Sequence, residues 1–322
     1  WNVNRINIIV YIILICPFFS TSNQPLISYY LDDYNYIVTI YTNKIIAYDH
    51  INNHDASSLY FNGELSMDSS KIRCMSSLDY LYNENYKIIF LIINDTIYYG
   101  VNGTISITTN VNNNNITDRP SNINVHECKE DSGSNYCYFF ISLIGSDNKL
   151  QIYKYSIPYG QNTYNCINYK IIDIYDSSSK VSQSGSDFVT CKIMSFSGNP
   201  RYACFYENSN TEMGSIILVL DTLEQDNSKV PKFKKNSGAK YIKSVLFNSN
   251  EKAFICYINN YNNIACIIFD LNQNEFEEEY KYFENIPEGN YFSIDYFKSQ
   301  FNIFYHFILQ NLNFIMRYLI KI

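Results

Sequence analysis

The sequence predicts an all-β fold, a β-propeller of about six four-stranded blades, and three observations carry that expectation. Short apolar runs of five to eight residues alternate with turns built of Asn, Asp, Ser and Gly from Leu26 to the end of the chain. These runs group into triplets that recur with a period of about fifty residues, the spacing at which propeller blades repeat. The composition also suits pleated surfaces: 32 Tyr and 21 Phe stand among abundant Ile in a 322-residue chain. An AT-rich coding bias would enrich the same residues, so tandem β-sandwiches and a β-solenoid stand as the rival all-β readings.

The clearest unit is 188–221: DFVTCKIMSF, the turn SGNPR, YACFYEN, the turn SNTEMG, then SIILVLD. The first unit reads LISYYL, YNYIVTIY and KIIAYD; the second KIRCMSSL, YKIIFLII and TIYYG. The third opens at Val125 and continues through YCYFFISLI and LQIYKYSI. The fifth is YIKSVLF, KAFICYI and NIACIIFD, and the sixth YFSIDYF, FNIFYHFIL and FIMRYLI. The third runs begin near Lys44, Thr96, Leu150, Ser215, Ile264 and Phe314. Segments between triplets, SLYFNGEL, TISITTNV, NYKIIDIY and EEYKYFENI, are candidates for fourth strands. A Ser-rich linker, 176–187, precedes the fourth unit. Helix is confined to a turn or two at 222–226 and 273–280.

The N-terminus reads as a secretory signal peptide, 1–22. Arg5 precedes an apolar run, 6–19, and Ser20-Thr21-Ser22 supplies small residues for cleavage after Ser22. The run is short for a membrane span, which needs about 20 residues. An uncleaved anchor or a buried strand are the other uses of this stretch. The remaining domain, 23–322, ends at Ile322 inside a strand pattern, so truncation at the C-terminal end is a reading the sequence allows.

Cysteine usage points to the same compartment. Without Cys16, eight cysteines remain of the 9, an even number that reads as disulfides in an exported chain. Cys128 and Cys137 flank one turn, as do Cys191 and Cys204, and Cys256 and Cys266. Consecutive antiparallel strands bring such residues opposite one another, so these three pairs are the expected bridges. Cys74 and Cys166 pair with each other or stay free. Sequons at Asn94, Asn102 and Asn115 are candidate glycosylation sites.

Charge sets limits on partners. The net charge of −7, with only 17% charged residues, argues against sequence-independent nucleic-acid binding. One basic cluster stands out between the fourth and fifth units: Lys229, Lys232, Lys234, Lys235, Lys240 and Lys243, with Phe233 and Tyr241 interleaved. It is a candidate site for an anionic glycan or lipid head group, against the plainer reading of a charged loop. His50 and His54 beside Asp49 and Asp55 lack the further ligands of a metal site. His306 reads as a strand residue. The acidic run Glu275, Glu277, Glu278, Glu279 and Glu284 reads as a solvated face. No catalytic, metal or cofactor motif is present in the sequence.

Taken together, TCKIMSFSGNPRYACFYEN, ECKEDSGSNYCYFFISLI and IKSVLFNSNEKAFICYI resemble the disulfide-bearing blades of secreted and surface β-propellers. The resemblance spans 26–322 and is architectural. WD40 and kelch signatures are absent, and Ser209 to Gly214 is a faint echo of the sialidase Asp box, with Glu212 where Asp belongs. The resemblance implies a secreted or cell-surface binding protein that meets an extracellular protein or glycan partner through its loops. A carbohydrate-active hydrolase on the same scaffold and the ectodomain of a larger membrane protein are the alternatives.

Overall fold

In the computed structural model the described residues are the strands named below together with 149, 197–198, 208, 220–231, 238–239, 248–251, 259–263 and 271–274. Side chains are described chiefly within 138–156, 167–172 and 189–277. The chain forms two compact units, Trp1–Ser70 with Asn285–Ile322, and Lys71–Glu284.

In chain order, β1 (Ile9–Ile13) is followed by β2 (Pro25–Leu31), β3 (Tyr36–Tyr41), β4 (Ile45–Asp49) and β5 (His54–Asp55). Next come β6 (Ile72–Tyr80), β7 (Tyr86–Ile93), β8 (Thr96–Val101), β9 (Thr104–Ile107) and β10 (Thr109–Asn110). The third set is β11 (Asn122–Asp131), β12 (Ser134–Ile144), β13 (Leu150–Pro158) and β14 (Thr163–Ile172). The fourth is β15 (Val189–Phe196), β16 (Asn199–Glu207), β17 (Glu212–Val219) and β18 (Lys232–Lys235). The fifth is β19 (Lys240–Phe247), β20 (Lys252–Ile258), β21 (Ile264–Asp270) and β22 (Glu275–Phe283). The last is β23 (Phe292–Phe297), β24 (Gln300–Leu309) and β25 (Leu312–Ile320).

Each set is an up-and-down antiparallel meander, the expected blade. The orders are β2-β3-β4-β5, β6-β7-β8-β9, β15-β16-β17-β18 and β19-β20-β21-β22. The third set gains β10, which lies parallel to β14, pairing Thr109 with Thr163 and Asn110 with Tyr164. The last set gains β1, which runs antiparallel to β25 with Ile9 opposite Leu319 and Ile13 opposite Ile315. The stretch that reads as the core of a signal peptide contains the strand Ile9–Ile13.

Within Lys71–Glu284 the sheets meet through their first strands, β6 with β11, β11 with β15, and β15 with β19. Stacking explains why the middle strands are buried on both faces. Tyr202 to Asn208 form an unbroken buried run, as do Ala253 to Asn259 and Ile264 to Asp270. Side chains alternate across a strand, so each run feeds two cores. Tyr202, Cys204 and Tyr206 join Phe140, Leu150 and Ile152 of the preceding sheet. Ala203 and Phe205 join Ile255, Ala265, Ile267 and Phe269 of the following one.

Polar side chains also meet across these interfaces. Thr190 Oγ1 and Ser244 Oγ lie 2.7 Å apart between β15 and β19. The Tyr202 hydroxyl donates to Ser142 Oγ at 3.3 Å, and its ring stacks on Phe140 with centroids 5.0 Å apart. Gly214 admits close packing across its sheet: a Cβ there would stand 3.0 Å from the rings of both Tyr206 and Phe233. Gln273 to Tyr280, read above as a candidate helical turn, instead covers a turn and most of β22, because Phe276 packs against the buried cluster of Phe205 and Phe269.

Candidate functional site

The two ends of the sheets in Lys71–Glu284 differ in chemistry. At one end lie the 197–198 and 248–251 turns, joined by the Ser195 N–H donating to the Asn250 carbonyl at 2.9 Å. Two ion-pair sets form here. Arg201, near the start of β16, donates Nε to Asp226 Oδ2 at 2.6 Å. Lys252, at the start of β20, lies 3.0 Å from Asp270 and 2.8 Å from Glu277. Arg201 and Lys252 sit one repeat apart at equivalent strand positions, a signal present in the sequence that compositional reading passes over.

Burial works to raise the Asp226 carboxyl, but hydrogen bonds from Ser228 and Arg201 outweigh it and hold the group below the usual carboxylate range. Asp270 behaves alike: burial raises it, and the N–H of Gln273, Lys252 and the N–H of Asn272 together pull it below. Lys252 is raised, first by its hydrogen bond to Glu277. A carboxylate whose folded pKa is lowered stabilises the fold above its unfolded value, and that stability fades as pH falls through the folded one. Melting temperature should therefore drop as pH falls below about 4. Asp226→Asn with Asp270→Asn should lower the neutral-pH melting temperature and flatten that acid limb in a pH series of thermal melts.

The six lysines of the basic cluster occupy different settings. Lys229 is buried, with Nζ 3.1 Å from the Asn272 carbonyl and 3.8 Å from the centre of the Phe196 ring. Burial lowers its pKa, with Asp226 and Asp270 working against the shift. Lys234 donates Nζ to the Glu277 carbonyl of the adjoining sheet. Lys232 is exposed on β18, and Lys243 is half-buried on β19 opposite Cys256. Lys235 pairs with Glu212 and Lys240 with Ile258 in strand register; their side chains lie outside the described residues.

At the other end, two turns share one construction. Asn208 and Asn259 each directly follow a second strand and use the side-chain oxygen to accept the N–H four residues on, from Glu212 and Asn263, both at 3.0 Å. Their own N–H groups return the bond to the Glu212 and Asn263 carbonyls. Asn259 also accepts the Tyr261 N–H at 2.9 Å. This closed loop projects Tyr261, 71% exposed, with exposed Asn260 before it and half-buried Asn262 after it. Gly238, at φ +87°, lies under the Asn260 amide, where a Cβ would overlap. Nearby, the buried Glu207 carboxylate accepts the Ala239 N–H; burial raises its pKa, and that bond offsets part of the rise.

Cys191–Cys204 and Cys256–Cys266 are disulfides, joining residues directly opposite on adjacent strands. Cys128 and Cys137 are opposite in the β11–β12 register. Cys74 stands opposite Ile92, and Cys166 opposite Tyr155; the side chains of these four cysteines lie outside the described residues. Asn94, Asn102, Asn115, His50 and Glu284 also lie outside them. His54 is on β5, and His306 is the register partner of Ile315 between β24 and β25. Among the described residues no group of His, Cys, Asp or Glu is arranged to hold a metal ion, and no helix is long and apolar enough to cross a membrane.

The protein is an all-β chain of the β-propeller class. It is similar to the six-bladed fungal lectin of Aleuria aurantia, with a TM-score of 0.54 at 7% identity over 87% of this chain and 85% of that one. It is also similar to a triple-arginine mutant of AofleA from Arthrobotrys oligospora, with a TM-score of 0.50 at 8% identity over 97% of this chain and 86% of that one. No protein-family model matches the sequence, and no curated protein matches it. The likeness is one of fold, and it favours the propeller over tandem sandwiches.

Proposed function

We propose that the protein is a glycan-binding propeller that works outside the reducing cytosol and presents its ligand surface on the turn end of its sheets. The observation that carries the reading is Tyr261, an aromatic ring held out on a rigid Asn-capped turn and flanked by amide side chains. A phenol ring offers an apolar face for sugar C–H groups and a hydroxyl for their oxygens. Asn amides both donate and accept, which matches sugar hydroxyls. Turns held by a stacked β scaffold are where binding residues concentrate. The fold likeness to a lectin described by its mode of fucose recognition supports the same ligand class.

Retention on immobilised fucosylated and non-fucosylated glycans tests this. Tyr261→Ala should weaken retention on the preferred glycan by about tenfold, near 1.4 kcal/mol, with an unchanged melt. Absence of retention on every glycan, or retention indifferent to Tyr261, would exclude the site. The two disulfides support an oxidising compartment. Because Ile9–Ile13 reads as leader core and also forms β1, N-terminal sequencing of the exported chain decides between those two uses.

A further inference from the structure

Beside Tyr261, the turn of the fifth sheet carries a second group in an uncommon setting, the Asn260 amide. Asn260 is exposed, yet its side chain is seated on Gly238, a buried glycine at φ +87° in the connection from β18 to β19. A Cβ at position 238 would overlap Nδ2, Cγ and Oδ1 of Asn260 almost equally. The planar amide therefore rests face-on against the glycine, and its in-plane N–H groups and oxygen lone pairs point past it. Glycine suits this seat twice over: it tolerates the left-handed backbone, and it leaves the space beside its α carbon to the amide. The seat is fixed in turn, because the next residue, buried Ala239, donates its N–H to the Glu207 carboxylate of β16.

Among the described residues, neither the Asn260 amide nor the Tyr261 hydroxyl makes a hydrogen bond within the fold. The same turn holds a buried donor without a partner among the described residues, Asn259 Nδ2, while Oδ1 of that amide accepts the Tyr261 and Asn263 N–H groups. Folded proteins seldom leave a buried donor unused. Polar groups held ready beside an exposed ring are what a polyhydroxylated ligand requires.

Given the glycan-binding reading above, on which this rests, we propose that Asn260 is the specificity-determining residue of the site. Its amide reads two adjacent hydroxyls of one sugar ring while Tyr261 covers the apolar face of that ring, and Gly238 positions the amide. A carboxamide sets an acceptor and an N–H donor side by side on a rigid plane, and adjacent ring hydroxyls present the matching donor and acceptor. Seated in advance on Gly238, the amide loses little rotamer freedom on binding. A sugar that lacks one of the two hydroxyls leaves half of the pair unmet.

Competition for the retained glycan reads this directly, using methyl glycosides of glucose, galactose, mannose and fucose beside counterparts lacking single ring hydroxyls. For the preferred sugar, loss of either of two adjacent hydroxyls should weaken competition about tenfold, and loss of any other should matter less. Asn260→Ala should bind the parent sugar about tenfold more weakly and no longer distinguish it from those two counterparts, with an unchanged melt. Gly238→Ala should erase the same discrimination, and the double variant should bind no more weakly than Asn260→Ala alone. A merely structural change at 238 would instead weaken parent and deoxy sugars alike. Absence of retention on every glycan overturns the glycan reading and this inference together. Retention that depends on Tyr261, with discrimination intact in either single variant or spread over non-adjacent hydroxyls, overturns this inference alone.

Discussion

Phe269→Ala is expected to destabilise the protein by about 3–5 kcal/mol, the range for emptying a buried aromatic site. Phe269 is fully buried and makes edge-on contacts with Phe205 at 5.2 Å and Phe276 at 5.0 Å. Phe205 lies on β16 and the other two on β21 and β22, so this cluster joins two neighbouring sheets. Neither sheet can bury that face alone, and a cavity there weakens their stacking as well as each sheet. Chemical denaturation of Phe269→Ala beside Phe269→Leu distinguishes the effects. Leucine should recover most of the loss if volume dominates, and less if edge-on ring geometry contributes strongly.

Removing the Cys256–Cys266 bridge as the paired change Cys256→Ser and Cys266→Ser should cost about 2–3 kcal/mol in the chain-entropy model for so short a loop. The bridge spans a sequence separation of 10 across the turn that holds Tyr261. Both sulfurs are buried, so the serine hydroxyls add a desolvation penalty and alanine pairs should fare better than serine pairs. The readouts are the urea midpoint and, on the same samples, glycan retention. A wild-type midpoint that reducing agent leaves unchanged, while thiol titration shows the bridge opened, would remove the disulfide from the account of stability.

The strand triplets and their period were legible because each inner strand is apolar enough to announce itself. Three fourth strands were also legible in outline: TISITTNV contains β9, NYKIIDIY overlaps β14, and EEYKYFENI overlaps β22. The strand Lys232–Lys235 was not, since KFKK lacks an apolar signature and is defined by main-chain pairing with Glu212 to Ser215. The same pairing explains why the basic cluster looked like a loop. β1 could not be joined to β25 from local pattern, because its partner lies at the opposite end of the chain. At the candidate site, the pairs Cys191–Cys204 and Cys256–Cys266 were legible from turn spacing. Tyr261 was not: NNYNN reads as a polar turn, and the ring's exposure depends on hydrogen bonds that close the loop beneath it.

The two disulfides are set differently in their sheets: Cys191–Cys204 joins β15 to β16, and Cys256–Cys266 joins β20 to β21. The equivalent turns at Asn208 and Asn259 fix a common frame for the fourth and fifth sheets. In that frame Cys204 stands four positions before its Asn, and Cys256 stands three before. A shift of one residue moves a side chain to the other face of a strand. Cys191–Cys204 accordingly lies in the core shared with the preceding sheet. Cys256 projects opposite to Ile255 and Tyr257, which face the preceding sheet. The two cross-links therefore occupy opposite faces of their sheets, one turned toward the preceding sheet and the other away from it.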